Sequence, residues 1–226
     1  NQLGNKMFII NCKNYDEIAG DKIIKIAKIS EKVSRKYKVP IAIAPPHHLI
    51  PLITKFKITV LAQHVDDKKV GSTTGFMVPE IVKKSKINGS IINHSEHRIS
   101  EKEIISLVKR LQKLKLKTVL CVKNVNEAKK YAKLNPTFIA IEPPELIGTG
   151  RAISTEKPAL ITNAVKAVSS AKNSTKLLCG AGIVSGQDVS KAKELGSRGI
   201  LVASGIVKAK NWEKIISEFC KGLKSQ

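Results

Sequence analysis

The amino-acid sequence predicts an α/β fold: a closed (β/α)8 barrel, an eight-stranded parallel sheet ringed by helices, with residues 1–226 as one domain. Three observations lead there. Apolar runs of strand length recur eight times, and they are nearly continuous rather than alternating, as expected of strands buried on both faces. Segments with helical spacing lie between them, and regular β/α alternation calls for a parallel sheet with right-handed crossovers. The length of 226 residues suits a single barrel, and no linker-like stretch or composition shift marks a second domain. An open, doubly wound sheet is the structural alternative.

The first strand is expected over 7–11 and its helix over 22–36, where Ile23, Ile26, Ala27, Ile29 and Val33 form an apolar stripe opposite lysines. The second strand (39–44) leads into a short helical segment over 46–55. The third (58–62) leads into one over 79–86, where Pro79 suits a first helical turn. The fourth strand (90–93) precedes a helix over 100–115. Ser100 and Glu103 there have capping-box spacing, and Ile104, Leu107, Val108 and Leu111 share one face. The fifth strand (118–122) is followed by a helix over 125–133, and the sixth (137–141) by one over 155–171. The seventh (176–179) and eighth (199–203) precede helices over 186–195 and 211–223.

The 42% hydrophobic content sustains a sizeable core, and with 4% aromatic residues that core must be aliphatic. Forty basic residues against 18 acidic ones give a formal charge of +22. Such an excess raises nucleic-acid binding, but the pattern argues against it. Lys22, Lys25, Lys28 and Lys32 are typical: the charges follow polar helix faces instead of one block, without interleaved aromatics to stack bases. A solvated lysine surface whose field draws in small anions fits better. Cys12, Cys121, Cys179 and Cys220 have no C-x-x-C or metal-ligand spacing, so reduced structural thiols in the cytoplasm, and no metal, are expected. No apolar run approaches the ~20 residues of a membrane span, and no stretch of signal-peptide type opens the chain.

In barrels the chemistry gathers where strands end. After the first strand, Asn11 and Lys13 share a direction on an extended segment and Cys12 points away. After the fourth come His94, Ser95, Glu96, His97 and Arg98; a ring at a helix start is favoured in its neutral form. After the sixth comes IEPPELIGTG. Glu142 ends a buried strand, and partial desolvation makes a carboxylate a better proton acceptor, which suits a general base. Pro143 and Pro144 fix an extended exit, and Gly148, Thr149 and Gly150 let backbone amides approach an anion. Gly180-Ala181-Gly182 after the seventh strand and Ala203-Ser204-Gly205 after the eighth expose further amides, together suggesting a phosphate nest. Each of these features also has a plainer reading, as a solvated lysine, a capping acid or a tight turn.

Taken together, N-x-K, HSE, E-P-x-x-x-I-G-T-G, CGAGI and LVASGIVKA resemble the triosephosphate isomerase family, in particular its short archaeal form, over nearly the whole chain. The resemblance implies a TIM barrel that interconverts glyceraldehyde 3-phosphate and dihydroxyacetone phosphate without a cofactor. It implies Glu142 as the base, His94 as the electrophile at the substrate oxygens, and Lys13, beside Asn11, as fixed positive charge. Glu96 would support the site, and Ile147, Gly148, Gly180, Ala181, Gly182, Ala203 and Ser204 would bind substrate. Gly71-Ser72-Thr73-Thr74-Gly75 resembles the loop such proteins insert into a neighbouring subunit, with Thr74 the matching residue. A homo-oligomer is implied, a tetramer favoured and a dimer possible. The chain departs from many family members at Ile141 and Glu145, where they carry aromatics, and at Cys179, Gly182, His97 and the Ala203-Ser204 pair. Another phosphosugar barrel, an epimerase or a biosynthetic isomerase, is the same-fold alternative; Lys123 and Asn124 lack the acid/base or metal-ligand character it would need.

Overall fold

Eight parallel strands close on themselves in chain order: β1 (Met7–Asn11), β2 (Ile41–Ala44), β3 (Thr59–Ala62), β4 (Gly89–Ile92), β5 (Lys117–Val122), β6 (Phe138–Ile141), β7 (Lys176–Cys179) and β8 (Gly199–Val202). The computed structural model describes residues 6–224; the ends of the expected 1–226 domain, 1–5 and 225–226, lie outside the described residues. Closure comes from β8 pairing β1, with Met7 opposite Gly199. A closed sheet leaves no unpaired edge, and the open-sheet alternative is thereby excluded.

Alternation along the strands divides the core in two. Met7 and Ile9, Ala42 and Ala44, Leu61, Ile91, Val119 and Cys121, Phe138 and Ala140, Leu178, and Leu201 pack together inside the barrel. The intervening residues, such as Phe8, Ile10, Ile41, Ile43, Leu120 and Ile139, face outward into a second layer beneath the helices. The interior is therefore a filled core, not a pore, and a ligand can enter only at a mouth.

The helices are α1 (Lys22–Tyr37), α2 (Pro79–Lys84), α3 (Glu101–Lys113), α4 (Val125–Ala132), α5 (Ile153–Glu156), α6 (Pro158–Ser169), α7 (Gly186–Glu194), α8 (Ser204–Val207) and α9 (Trp212–Lys224). Pro79 opens α2 as expected. The α3 capping box forms: Ser100 Oγ accepts from the Glu103 N–H, and Glu103 Oε1 accepts from the Ser100 N–H, each at 3.2 Å. Phe8 stacks on Phe219 with centroids 5.7 Å apart, tying β1 to α9.

Three expectations need correction. The segment expected as a helix over 46–55 is a 3-10 turn, His47–Leu52, because Pro51 inside it has no N–H to donate. The helix expected over 155–171 is two, broken at Lys157 (φ −137°, ψ 58°), since the residue before Pro158 avoids helical backbone. The strand expected over 90–93 ends at Ile92, with Asn93 in the left-handed region at φ 57°. One short helix, α8, has no apolar stripe long enough to predict it and starts directly after Ala203. Among the described residues no helix is long and apolar enough to cross a membrane.

Candidate active site

Strand alternation delivers the polar residues to the C-terminal mouth. The inward series Met7, Ile9 continues to Asn11, and the series Phe138, Ala140 continues to Glu142. Both are buried, at 6% and 3% exposure, and both line one cavity with Lys13 and His94. Ile147 and Gly148 border it from the segment after β6, Gly180, Ala181 and Gly182 from β7, and Ala203 and Ser204 from β8. Every residue expected to act on or bind the substrate thus lines this cavity. Of the two supporting candidates, Glu96 borders an adjoining cavity, and Thr74 stands on an exposed loop and lines neither, although its neighbour Gly75 borders the adjoining one.

Lys13 reaches the site through a turn rather than by continuing β1. Its backbone is left-handed, φ 47°, an uncommon state for a residue with a side chain. Asn11 Oδ1 accepts the Lys13 N–H at 2.9 Å, and Gln63 Nε2 donates to the Lys13 carbonyl at 2.9 Å and the Ala44 carbonyl at 3.1 Å. These bonds hold the strained turn, and the Lys13 ammonium lies 2.7 Å from Glu96 Oε1. Gln63 is a supporting residue that the strand-end motifs do not reveal. Its signal in the sequence is a polar residue just past a buried strand, β3.

His94 sits on a single turn closed by the His97 N–H to the His94 carbonyl at 2.8 Å, so no helix start is involved. Its orientation comes from the backbone. His94 Nδ1 accepts the Glu96 N–H at 3.1 Å, which leaves the hydrogen on Nε2. Nε2 faces Glu142 Oε2 at 3.3 Å. Beneath the turn, Asn93 Nδ2 donates to the Cys121 carbonyl at 3.1 Å, and Asn93 Oδ1 accepts from the Ile99 N–H at 3.1 Å.

Glu142 Oε1 is buried and, among the described residues, has no hydrogen-bond partner. An unpaired buried carboxylate oxygen is expensive, which is consistent with a group kept for chemistry. Its charge is felt below: burial first, and then the Glu142 carboxylate, push the Cys121 thiol well above its ordinary value. The side chain fits because Gly180 has none. A Cβ there would lie 2.8 Å from Glu142 Cγ and 3.3 Å from Cδ.

From Glu142 the chain leaves through extended Pro143 (φ −62°, ψ 123°) into a 3-10 turn, Pro144–Leu146. Leu146 is buried as an anchor, and its carbonyl accepts from both the Thr149 N–H at 3.2 Å and Thr149 Oγ1 at 2.8 Å. Glu145, one of the departures from the family pattern, forms an exposed ion pair with Lys157. At the far end, the Ile153 N–H donates to the Ala181 carbonyl at 3.2 Å. Gly182 (φ 65°) is packed so closely that a Cβ would lie 1.9 Å from the Arg151 carbonyl oxygen. No acceptor among the described residues takes the Gly148 or Gly182 backbone N–H, and both residues border the cavity.

The site thus joins a buried carboxylate, an Nε2–H donor 3.3 Å from it, an ammonium, and a rim of unengaged amides. That set can move a proton beside a carbonyl while holding the oxyanion and an anionic tail. Among the described residues no group of His, Cys, Asp and Glu is placed to hold a metal.

A family model described as triosephosphate isomerase matches residues 6–219. The triosephosphate isomerase of Cenarchaeum symbiosum is 52% identical over 217 residues, covering 96% of this chain and 97% of the relative. That of Methanocaldococcus jannaschii is 42% identical over 216 residues, covering 95% and 99%. That of Methanothermus fervidus is 40% identical over 213 residues, covering 94% and 96%.

Proposed function

The chain belongs to the triosephosphate isomerase family, and on that premise we propose that Glu142, His94 and Lys13 carry its reaction. It interconverts glyceraldehyde 3-phosphate and dihydroxyacetone phosphate through an enediolate. The observation that carries the residue assignment is the opposition of Glu142 Oε2 and His94 Nε2 across 3.3 Å in one buried mouth, with Lys13 beside them.

Glu142 removes the proton from the carbon beside the carbonyl and returns it to the neighbouring carbon. Negative charge grows on the two substrate oxygens as it does so. The His94 Nε2–H is given to the oxygen that was the carbonyl, and the ring takes back the proton of the neighbouring hydroxyl, so the hydroxyl hydrogen changes oxygen as the other changes carbon; the Lys13 ammonium supplies the compensating charge. Substrate enters between Glu142 and His94 and replaces their direct contact. Glu96 serves twice, pairing with Lys13 through its carboxylate and orienting His94 through its backbone N–H. Phosphate is held by backbone amides at Gly148, Gly182 and Ser204, the last at the start of α8. Because the phosphate is not transformed, its binding energy can serve to close 143–150 over the site and exclude water.

Assembly into a homo-oligomer through loop 71–75 belongs to the same reading, a tetramer favoured over a dimer. Support comes from the exposure of the whole stretch 68–76, including Val70 and Phe76, with Ile81 also exposed nearby; apolar side chains gathered on a surface mark association sites. A cytoplasmic location is inferred from four free, buried cysteines. Turnover of glyceraldehyde 3-phosphate by the purified protein, coupled to NADH oxidation through an added dehydrogenase, tests the activity; no turnover would contradict it. Light scattering tests the assembly, and a monomer at working concentration would reject it.

A further inference from the structure

His47 is not used by the reaction above, yet it is bonded into the support of that site. It stands at the start of the 3-10 turn after β2, partly buried, and borders the cavity that adjoins the catalytic mouth and is shared with Lys13, Gln63, His64, Asp66, Glu96 and His97. We propose that His47 is a positioning residue for Lys13, acting through Gln63, and that only its unprotonated ring can do this. The proposal rests on the reading of Lys13 as catalytic.

The connection is made of three bonds. His47 Nε2 accepts the Gln63 backbone N–H at 3.1 Å. That fixes the backbone from which the Gln63 side chain spans to the Lys13 and Ala44 carbonyls, at 2.9 and 3.1 Å. Lys13 needs the grip, because its left-handed backbone is not self-supporting. An acceptor at Nε2 places the ring hydrogen on Nδ1. Protonation would put a second hydrogen on Nε2, facing the Gln63 N–H donor to donor. The bond would then break, and with it the fixed placement of the Gln63 amide.

The surroundings keep the ring unprotonated near neutrality. Burial lowers the His47 value from its ordinary 6.5, and His64 adds to this, with smaller contributions from His97 and His48; Asp66 opposes them. His64 and His97 are stacked, centroids 3.6 Å apart and planes 9° from parallel, and His64 Nε2 lies 3.0 Å from Asp66 Oδ1. Lys13, Glu96, His94 and Tyr15 are the remaining charged or titratable residues on the shared cavity. With a folded value below 6.5, the support is complete above that pH and is lost as pH falls through the folded value.

The test uses the full chain with His47→Leu, which removes the acceptor, and His47→Gln, whose amide oxygen can accept but does not titrate. At pH 8, His47→Leu should lose roughly tenfold in kcat/KM, the order expected for one hydrogen bond to a buried group, and His47→Gln should recover most of it. From pH 7 to pH 5, wild type should lose more activity than His47→Gln, so that the ratio of the two profiles reports His47 alone. The Gln63 amide resonance should move with the His47 titration. A His47→Leu enzyme within twofold of wild type, or superimposable profiles for wild type and His47→Gln, overturns the proposal; if His47→Leu does not fold, the His47→Gln profile decides. Lys13→Met separates the two claims: if it is inactive while His47→Leu is normal, only this proposal fails, and if it is active, the reading of Lys13 fails as well.

Discussion

Gly180→Ala asks whether the base is held by a steric fit. The added methyl would sit 2.8 Å from Glu142 Cγ, 3.3 Å from Cδ and 3.5 Å from Leu201 Cβ. The last contact is ordinary, so the whole perturbation falls on Glu142. Restoring an ordinary carbon–carbon separation requires Cγ to move by about 0.6 Å. The side chain has little room to do so. It is 3% exposed, its backbone N–H is fixed to the Val122 carbonyl at 2.9 Å, and His94 Nε2 stands 3.3 Å from its carboxylate. The Gly180 backbone adds no strain of its own, since it does not occupy the left-handed region. A misplacement of about 1 Å at a reacting group lowers rate by about a hundredfold. We therefore expect kcat to fall between about tenfold and a hundredfold, with KM changed by less than about threefold. The coupled assay over a range of glyceraldehyde 3-phosphate concentrations measures both, and circular dichroism checks the fold. A folded variant with kcat within twofold of wild type refutes the reasoning. So does a rise in KM at unchanged kcat, which would mean that Gly180 meets the substrate and not the base.

The thiols and a helix cap give two further predictions. Burial pushes Cys12, Cys179 and Cys220 up to about 12 and Cys121 well above its ordinary value. The native protein should accordingly be inert to Ellman's reagent at pH 8 and release four equivalents only when unfolded; rapid labelling of the native state would contradict this. Because these values are raised, the thiols' contribution to stability is complete below the unfolded value of about 8.5 and falls as pH climbs toward 12. Ser100→Ala removes the hydroxyl that accepts the Glu103 N–H in the α3 capping box, leaving the backbone bond to Glu103 Oε1, and should lower unfolding free energy by about 1 kcal/mol without changing kcat. Urea denaturation measures it, and an unchanged midpoint would show the cap to be idle.

Much of the site was legible because strand alternation is rigid. Asn11 and Glu142 are each the next inward position after Ile9 and Ala140, so a polar residue there had to face the mouth. The rim was legible as small residues after consecutive strands. Features created by hydrogen bonding across the chain were not. The tautomer of His94 depends on a backbone N–H from Glu96, and the turn at Lys13 depends on Gln63 and Asn11. Apolar periodicity also misled where proline intervened, because the stripe over 155–171 runs on through Pro158 although the backbone cannot. His47 shows the same limit: in sequence it is one of two adjacent histidines, and only the fold puts its Nε2 against Gln63.

The central claim is that Glu142 is the base, and kcat and KM of Glu142→Gln with glyceraldehyde 3-phosphate test it most directly. The amide keeps the size of the carboxylate but cannot take up the proton. The account predicts that kcat falls by about 10²- to 10⁴-fold, the range for loss of a general base, while KM stays within a few-fold of wild type. A folded Glu142→Gln enzyme that turns over at a rate within tenfold of wild type would contradict it.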